Sequence, residues 1–383
     1  ADCCERLADY AQEDERAGQL YREGAAAVDE PARAARLLRK ALERNGDDHE
    51  ALEGLIDRME ALEKPAEAAQ LIGFRLGQPV TDDEVTALRL RRAKLLLEQL
   101  EDRKAAAVDL YQILELDADH REATGLLGRL LAEDGAYDQA AGLLQQRLDL
   151  AREEDGAAEL ADTRRLLSEV LERGGSDTEA VLEPLETLLL DDPGSEEVLE
   201  HKHAVYLRAR DFPAAVSVLD ERYRGEADKL ARAAGELRKA AIYRNLAAND
   251  DEARKAYEKA RELDPLNREA ILGLCELYRQ FGDDTSLGYV LSGAVESYRE
   301  ALVQGSGVDE DRVRFLARLF EEGREKDSHF FALSTLELLG VAEADEQSRS
   351  KQYRSAIVDR QPGRLTADLW SRYLYHPAAL GGV

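Results

Sequence analysis

Few side chains in this sequence have the type and spacing to do chemistry. The six histidines are His49, His120, His201, His203, His329 and His376. His201 and His203 are two apart, so on a helix they point to different faces and do not readily share a metal. Glu197 and His201, at i and i+4, could chelate, but a densely charged helix surface makes such pairs by chance. The cysteines are Cys3, Cys4 and Cys275, and none sits in a CxxC or Cys/His spacing of the kind zinc uses. HExxH, GxSxG and GxxxxGK[ST] are all missing. The run GSGV at 305–308 lacks the spacing of a dinucleotide loop and follows a helical stretch, so it reads as a linker. Carboxylates are abundant, with 80 Asp and Glu against 52 Lys and Arg. A paired-acid mechanism needs a defined separation across a cleft, which abundance does not provide. No catalytic, cofactor-binding or metal-binding residue is assigned, and the chain is expected not to be an enzyme.

The net charge of −28 repels nucleic acid and anionic membrane, so a charged partner is expected to be basic. No apolar run approaches the roughly 18 residues of a membrane span. The start, ADCCERLADYAQEDE, has no basic region followed by an apolar one, so it is not a signal peptide and a cytoplasmic location is expected. It lacks Met and is already helical in pattern, which reads as a cut from a longer chain. Lysines number 11 and arginines 52 − 11 = 41, a bias that suggests a bacterial, GC-rich coding sequence.

The elements that must position any site are helices. Residues 251–283, DEARKAYEKARELDPLNREAILGLCELYRQFGD, show the pattern best. Ala253, Tyr257 and Ala260 fall at i, i+4 and i+7 on one helix face. Asp264 and Pro265 end that helix, because the residue before a proline disfavours the α region. Asn267 is a suitable N-cap for the next helix, Ile271, Leu274, Cys275 and Tyr278 form its apolar stripe, and Gly282 closes it. Cys275 then reads as a small packing residue and not as a reactive thiol. No run alternates in the manner of a strand.

The same small residue recurs at Ala34, Ala68, Ala106, Ala140, Ala180, Ala214, Ala253 and, degenerately, Leu287. The spacings are 34, 38, 34, 40, 34, 39 and 34 residues, so every second anchor repeats at 72, 74 and 73. The chain therefore repeats as a helical hairpin and again as a pair of hairpins. The extra residues of each pair lie near GQPVTDDEV, DLAREEDGAAELADT and YRGEADKLARAAGE. Thr81 with Glu84, and Ser176 with Glu179, read as capping boxes. Pro184 lies past the first turn of its helix and is expected to kink it.

This alternation of small and large residues resembles the tetratricopeptide repeat (TPR), a family with a period of 34 residues. The match covers about residues 15–300, with degenerate repeats of the long bacterial type. The resemblance implies an all-α, right-handed superhelical solenoid of antiparallel helix hairpins. About eight hairpins would occupy 1–304, and 305–383 would form a divergent helical cap. In that cap Trp370, Tyr373 and Tyr375 are expected to cover the open apolar end, or else to dock a partner.

The resemblance also implies that certain first-helix positions face a concave groove and bind partners. They hold Glu50, Glu53, Asp57 and Glu60 in the first pair, Glu196, Leu199, His203 and Tyr206 in the third, and Glu269, Leu272, Glu276 and Arg279 in the fourth. The Lys and Asn with which chaperone-tail binders hold a peptide carboxylate are missing from these positions. The expected function is a protein-interaction scaffold whose acidic groove takes a basic or amphipathic protein segment. The alternatives are a structural spacer that stacks on further repeats or self-associates, and the non-catalytic region of a larger enzyme.

Overall fold

The computed structural model describes residues 2–152, 154–305 and 309–358. Trp370, Tyr373, Tyr375 and His376, with the expectations placed on them, lie outside the described residues. Among the described residues every regular element is an α-helix and there is no strand. The helices divide into two compact units, Ala1–Val198 and Leu199–Val383.

The first unit opens with α1 (Asp2–Tyr10) and continues as hairpins. These are α2 (Asp14–Ala26) with α3 (Pro31–Arg44), α4 (His49–Ala61) with α5 (Pro65–Leu76), α6 (Asp82–Glu98) with α7 (Arg103–Leu116), α8 (Arg121–Glu133) with α9 (Tyr137–Asp149), and α10 (Ala157–Gly174) with α11 (Thr178–Asp191). The helix α12 (Glu196–Arg208) spans the division. The second unit holds α13 (Phe212–Arg222), α14 (Lys229–Asn245) with α15 (Asp250–Leu263), α16 (Arg268–Phe281) with α17 (Asp284–Gln304), α18 (Glu310–Glu322) with α19 (Lys326–Leu338), and α20 (Ala344–Val358). Connections run from two to seven residues, which makes sequence neighbours antiparallel, and from α1 to α11 and again from α13 to α20 each helix packs on the next. This is a TPR-like solenoid of helix hairpins.

Each unit's core is built from the apolar stripes of consecutive helices. In the first unit one cluster runs from Ala8 to Leu95 and another from Ala93 to Val170. In the second the main cluster runs from Ala240 to Leu333 and includes the fully enclosed Ala253, Ala260, Ile271 and Leu274. Close approach depends on residues without bulk. A Cβ on Gly273 would lie 2.6 Å from the Tyr257 ring, and one on Gly235 would lie 2.5 Å from Tyr223.

Six of the eight anchor helices carry the assigned anchor at the same place from their start, and two do not. Measured from helix start, Ala34, Ala68, Ala106, Ala140 and Ala253 are the fourth residue, and all are buried. In α11 and α13 that place belongs to Val181 and Ala215, which are buried, whereas Ala180 and Ala214 are only half-buried. The third pair is therefore shifted by one residue, and on a helix this turns every assigned face by about 100°. The capping boxes divide likewise. The Thr81–Glu84 box is formed, but Ser176 caps nothing. Asp177 is the N-cap, its carboxylate accepting from the Ala180 N–H at 2.8 Å. Pro184 is buried inside an α11 that stays one helix from Thr178 to Asp191. The Ser168 hydroxyl donates to the Val181 carbonyl at 2.8 Å one turn before the proline, next to the place where its missing N–H leaves Ala180 without a helical partner.

Candidate functional site

The first helices of the hairpins carry the positions to which the resemblance assigns partner binding. On α4, the second, fifth, ninth and twelfth residues are Glu50, Glu53, Asp57 and Glu60. Three of these acids are engaged within the chain. Glu50 pairs with Arg22 of α2. Asp57 and Glu60 both receive Arg91 of α6, at 2.6 and 2.7 Å. These bonds hold the Arg91 guanidinium more firmly protonated than usual against the cost of its burial, with Glu60 the larger influence. Glu53 is exposed and makes no ion pair or side-chain hydrogen bond among the described residues.

In the second unit α16 shows the same arrangement. Glu276 pairs with Arg244 of α14 at 2.5 Å. Arg279 pairs with Glu322 of α18. Glu269 is exposed and makes no ion pair or side-chain hydrogen bond among the described residues, and Leu272 is half-buried. Successive first helices are thus linked by a ladder of opposite charges. Further rungs are Lys94 to Glu122 between α6 and α8, at 2.5 Å, and Arg238 to Glu200 between α14 and α12, at 2.5 Å.

On α12 the one-residue shift overturns two assignments. Leu199 and His203 are 2% and 3% exposed, so they are core residues and face no groove. The His203 Nδ1 lies 3.0 Å from the Ala215 carbonyl, and burial holds its imidazolium form below the usual histidine range. Glu196 is exposed and Tyr206 half-buried. Counted from the start of α12, the places equivalent to Glu50 and Glu53 are Glu197 and Glu200. Glu200 is the residue that sequence reasoning missed. It takes both Arg222 and Arg238 at 2.5 Å, and the Arg238 bond is the main cause of its carboxyl lying below the usual range. The sequence offers one trace of the shift, an apolar residue directly after each assigned anchor, Val181 after Ala180 and Ala215 after Ala214.

A second set of charges involves buried side chains. Arg75 and Arg147, each the eleventh residue of its helix, are 4% and 3% exposed. Arg147 holds Asp155 at 3.1 Å and Glu159 at 3.0 Å, and so anchors the connection before α10. Arg75 donates to the Pro79 carbonyl at 3.3 Å and faces Glu84 at 3.8 Å, in the equivalent connection before α6. Asp109 is fully buried in α7 and bridges Arg89 and Arg92 of α6. Neither the charge ladder nor these pairs gathers three His, Cys, Asp or Glu side chains into a metal site among the described residues. Glu197 faces Arg165 at 3.8 Å, so its carboxylate is shared with a cation and not reserved for His201. No helix among the described residues is long and apolar enough to cross a membrane.

No protein-family model matches the sequence, and no curated protein is significantly similar to it. Solved structures do resemble it. The C-terminal part of a TPR repeat-containing protein from Cytophaga hutchinsonii aligns at 14% identity and a TM-score of 0.43, over 68% of this chain and 98% of that one. YrrB, described as a TPR protein with an unusual peptide-binding site, aligns at 22% identity and a TM-score of 0.39, over 52% and 97%. A tetratricopeptide repeat protein from Parabacteroides merdae aligns at 14% identity and a TM-score of 0.35, over 71% and 99%. In its own succession of antiparallel helix pairs, this chain has a TPR-like fold.

Proposed function

We propose that this chain is a non-catalytic protein-interaction scaffold whose first-helix face receives a basic or amphipathic protein segment. The observation that carries the reading is the selective engagement of the acids on that face. Glu50, Asp57, Glu60 and Glu276 are held by arginines of neighbouring helices, whereas Glu53 and Glu269 project without an ion pair, one in each unit. The ladder fixes adjacent hairpins at little net charge, and the unengaged acids are left to choose a partner. The remaining net charge of −28 steers cationic partners toward the surface. In this reading residues 1–304 are the working array, 305–383 close it as a helical cap, and the setting is a bacterial cytoplasm.

The test is capture from lysate of the source cell with the wild-type chain and with Glu53→Lys plus Glu269→Lys. These substitutions leave the ladder intact. A partner seated on the first-helix face is expected to be lost by tenfold or more. Glu43→Lys, an equal change of charge at an exposed position of α3, is expected to retain it. Equal loss in both variants would show that net charge and not this face governs binding.

A further inference from the structure

The last described helix is held in an unusual way. In the first ten residues of α20, Ala344–Tyr353, only Ser350 is buried and only Glu346 and Tyr353 are half-buried. These ten residues therefore add little apolar area, the term that secures most helices in a solenoid. Polar contacts hold these ten residues. On the α18 side, Arg314 reaches Glu346 at 3.1 Å and the Val341 carbonyl at 2.6 Å, and Arg349 reaches Glu321 at 2.6 Å. On the α19 side the contact is aromatic. His329, 2% exposed, stacks edge-on to Tyr353 with ring centroids 5.5 Å apart, and Phe330 lies 6.5 Å from the same ring. The His329 Nδ1 is 3.1 Å from the Tyr353 hydroxyl. Ser350, also fully buried, leaves its hydroxyl without a partner.

We propose that α20 is an acid-released helix, with His329 as the group whose protonation undocks it from the α19 surface around His329 and Phe330. Docking takes the imidazole out of water, and undocking returns it. The charged groups facing it are Glu321 from α18, which favours the protonated form, and Arg349 from α20, which opposes it; Tyr353 faces it as a neutral partner. Burial outweighs them and lowers the histidine below its ordinary value. The sign follows. Above a pH of about 6.5 both states hold a neutral ring, and docking is at full strength. Below it the undocked state binds the extra proton, so docking weakens as the pH falls, by up to about tenfold per unit. This window lies above the ordinary carboxylate range, so the ion pairs on α18 are still formed when the histidine titrates.

The experiment is amide hydrogen exchange on the intact chain at pH 7.5, 6.5 and 5.5, corrected for the intrinsic pH dependence of exchange. Protection of residues 344–353 is expected to fall by up to about fivefold between pH 6.5 and 5.5, while that of α16 holds and reports an intact fold. His329→Asn, which keeps a polar group near the Nδ1 position but cannot ionise, should give a flat profile. His329→Phe, which fills the site with a ring, should do the same. Tyr353→Phe should lower protection at every pH and keep the slope. A flat wild-type profile, a slope retained in the His329 variants, or a slope lost in Tyr353→Phe would each overturn the proposal.

Discussion

Close packing between hairpins is decided at single residues, and two glycines show how. In α16 the Gly273 site receives the Tyr257 ring, and an added Cβ would meet it at 2.6 Å. Both residues are on helices, so neither can move away cheaply. Gly273→Ala is expected to destabilise by about 1–3 kcal/mol in urea unfolding. Gly293 of α17 meets nothing within 4 Å, so Gly293→Ala should stabilise by up to about 1 kcal/mol through helix propensity. The sequence showed the Ala253–Tyr257–Ala260 face but not which glycine on the next helix accepts the ring. Cys275 was legible as a packing residue, because the stripe around it has helical spacing. It is 1% exposed, and burial pushes its thiol up to about 11. A thiol reagent at neutral pH should therefore label the exposed Cys3 in the native chain and reach Cys275 only on unfolding.

At the scale of elements, the turns between first and second helices share a device that the sequence conceals. Each of these turns from α4–α5 to α18–α19 holds one residue at positive φ: Glu63, Glu101, Gly135, Gly175, Arg210, Ala248, Gly282 and Arg324. Only Gly135, Gly175 and Gly282 are residues that accept this conformation without cost. Gly282 could be read as a helix stop, whereas Ala248 could not. Ala248→Gly should stabilise by about 1 kcal/mol by relieving left-handed strain, as read by thermal unfolding. The connection before α10 has another support. The Asp155 carboxylate accepts the Arg152 N–H at 3.0 Å and faces Arg147 and Arg121; the backbone bond is the largest cause of its lying below the usual range. A depressed carboxyl stabilises the fold above the ordinary value and loses that effect as the pH falls through the folded one. Protection of α10's first turn should thus drop only below about pH 4, and Asp155→Asn should lower it already at neutral pH.

For the whole chain, each unit is stabilised by contacts between neighbouring helices, so damage should stay local. Leu144 is fully buried in α9 and sits 3.0 Å from where a Gly128 Cβ would be. Leu144→Ala is expected to cost about 2–5 kcal/mol. Hydrogen exchange should show lost protection across residues 93–170 and little change across 253–333. The sequence by itself determined that the chain is helical, that its helices pair, and where most of them begin. Those properties depend on local signals: the spacing of apolar residues, caps such as Thr81 and Asn267, and a proline that ends a helix. It did not determine the face of α12. One residue of drift between repeats leaves the apolar spacing almost unchanged while it turns Leu199 and His203 into the core and Glu200 out of it. Nor did it show which acids are free. Glu53 and Asp57 are alike in sequence, and only the neighbouring helix, with Arg91 carried to one and no arginine to the other, separates them. A side chain's partner in a solenoid lies about one repeat away in the chain, so its charge state and exposure are fixed by the packing of hairpins and not by local pattern.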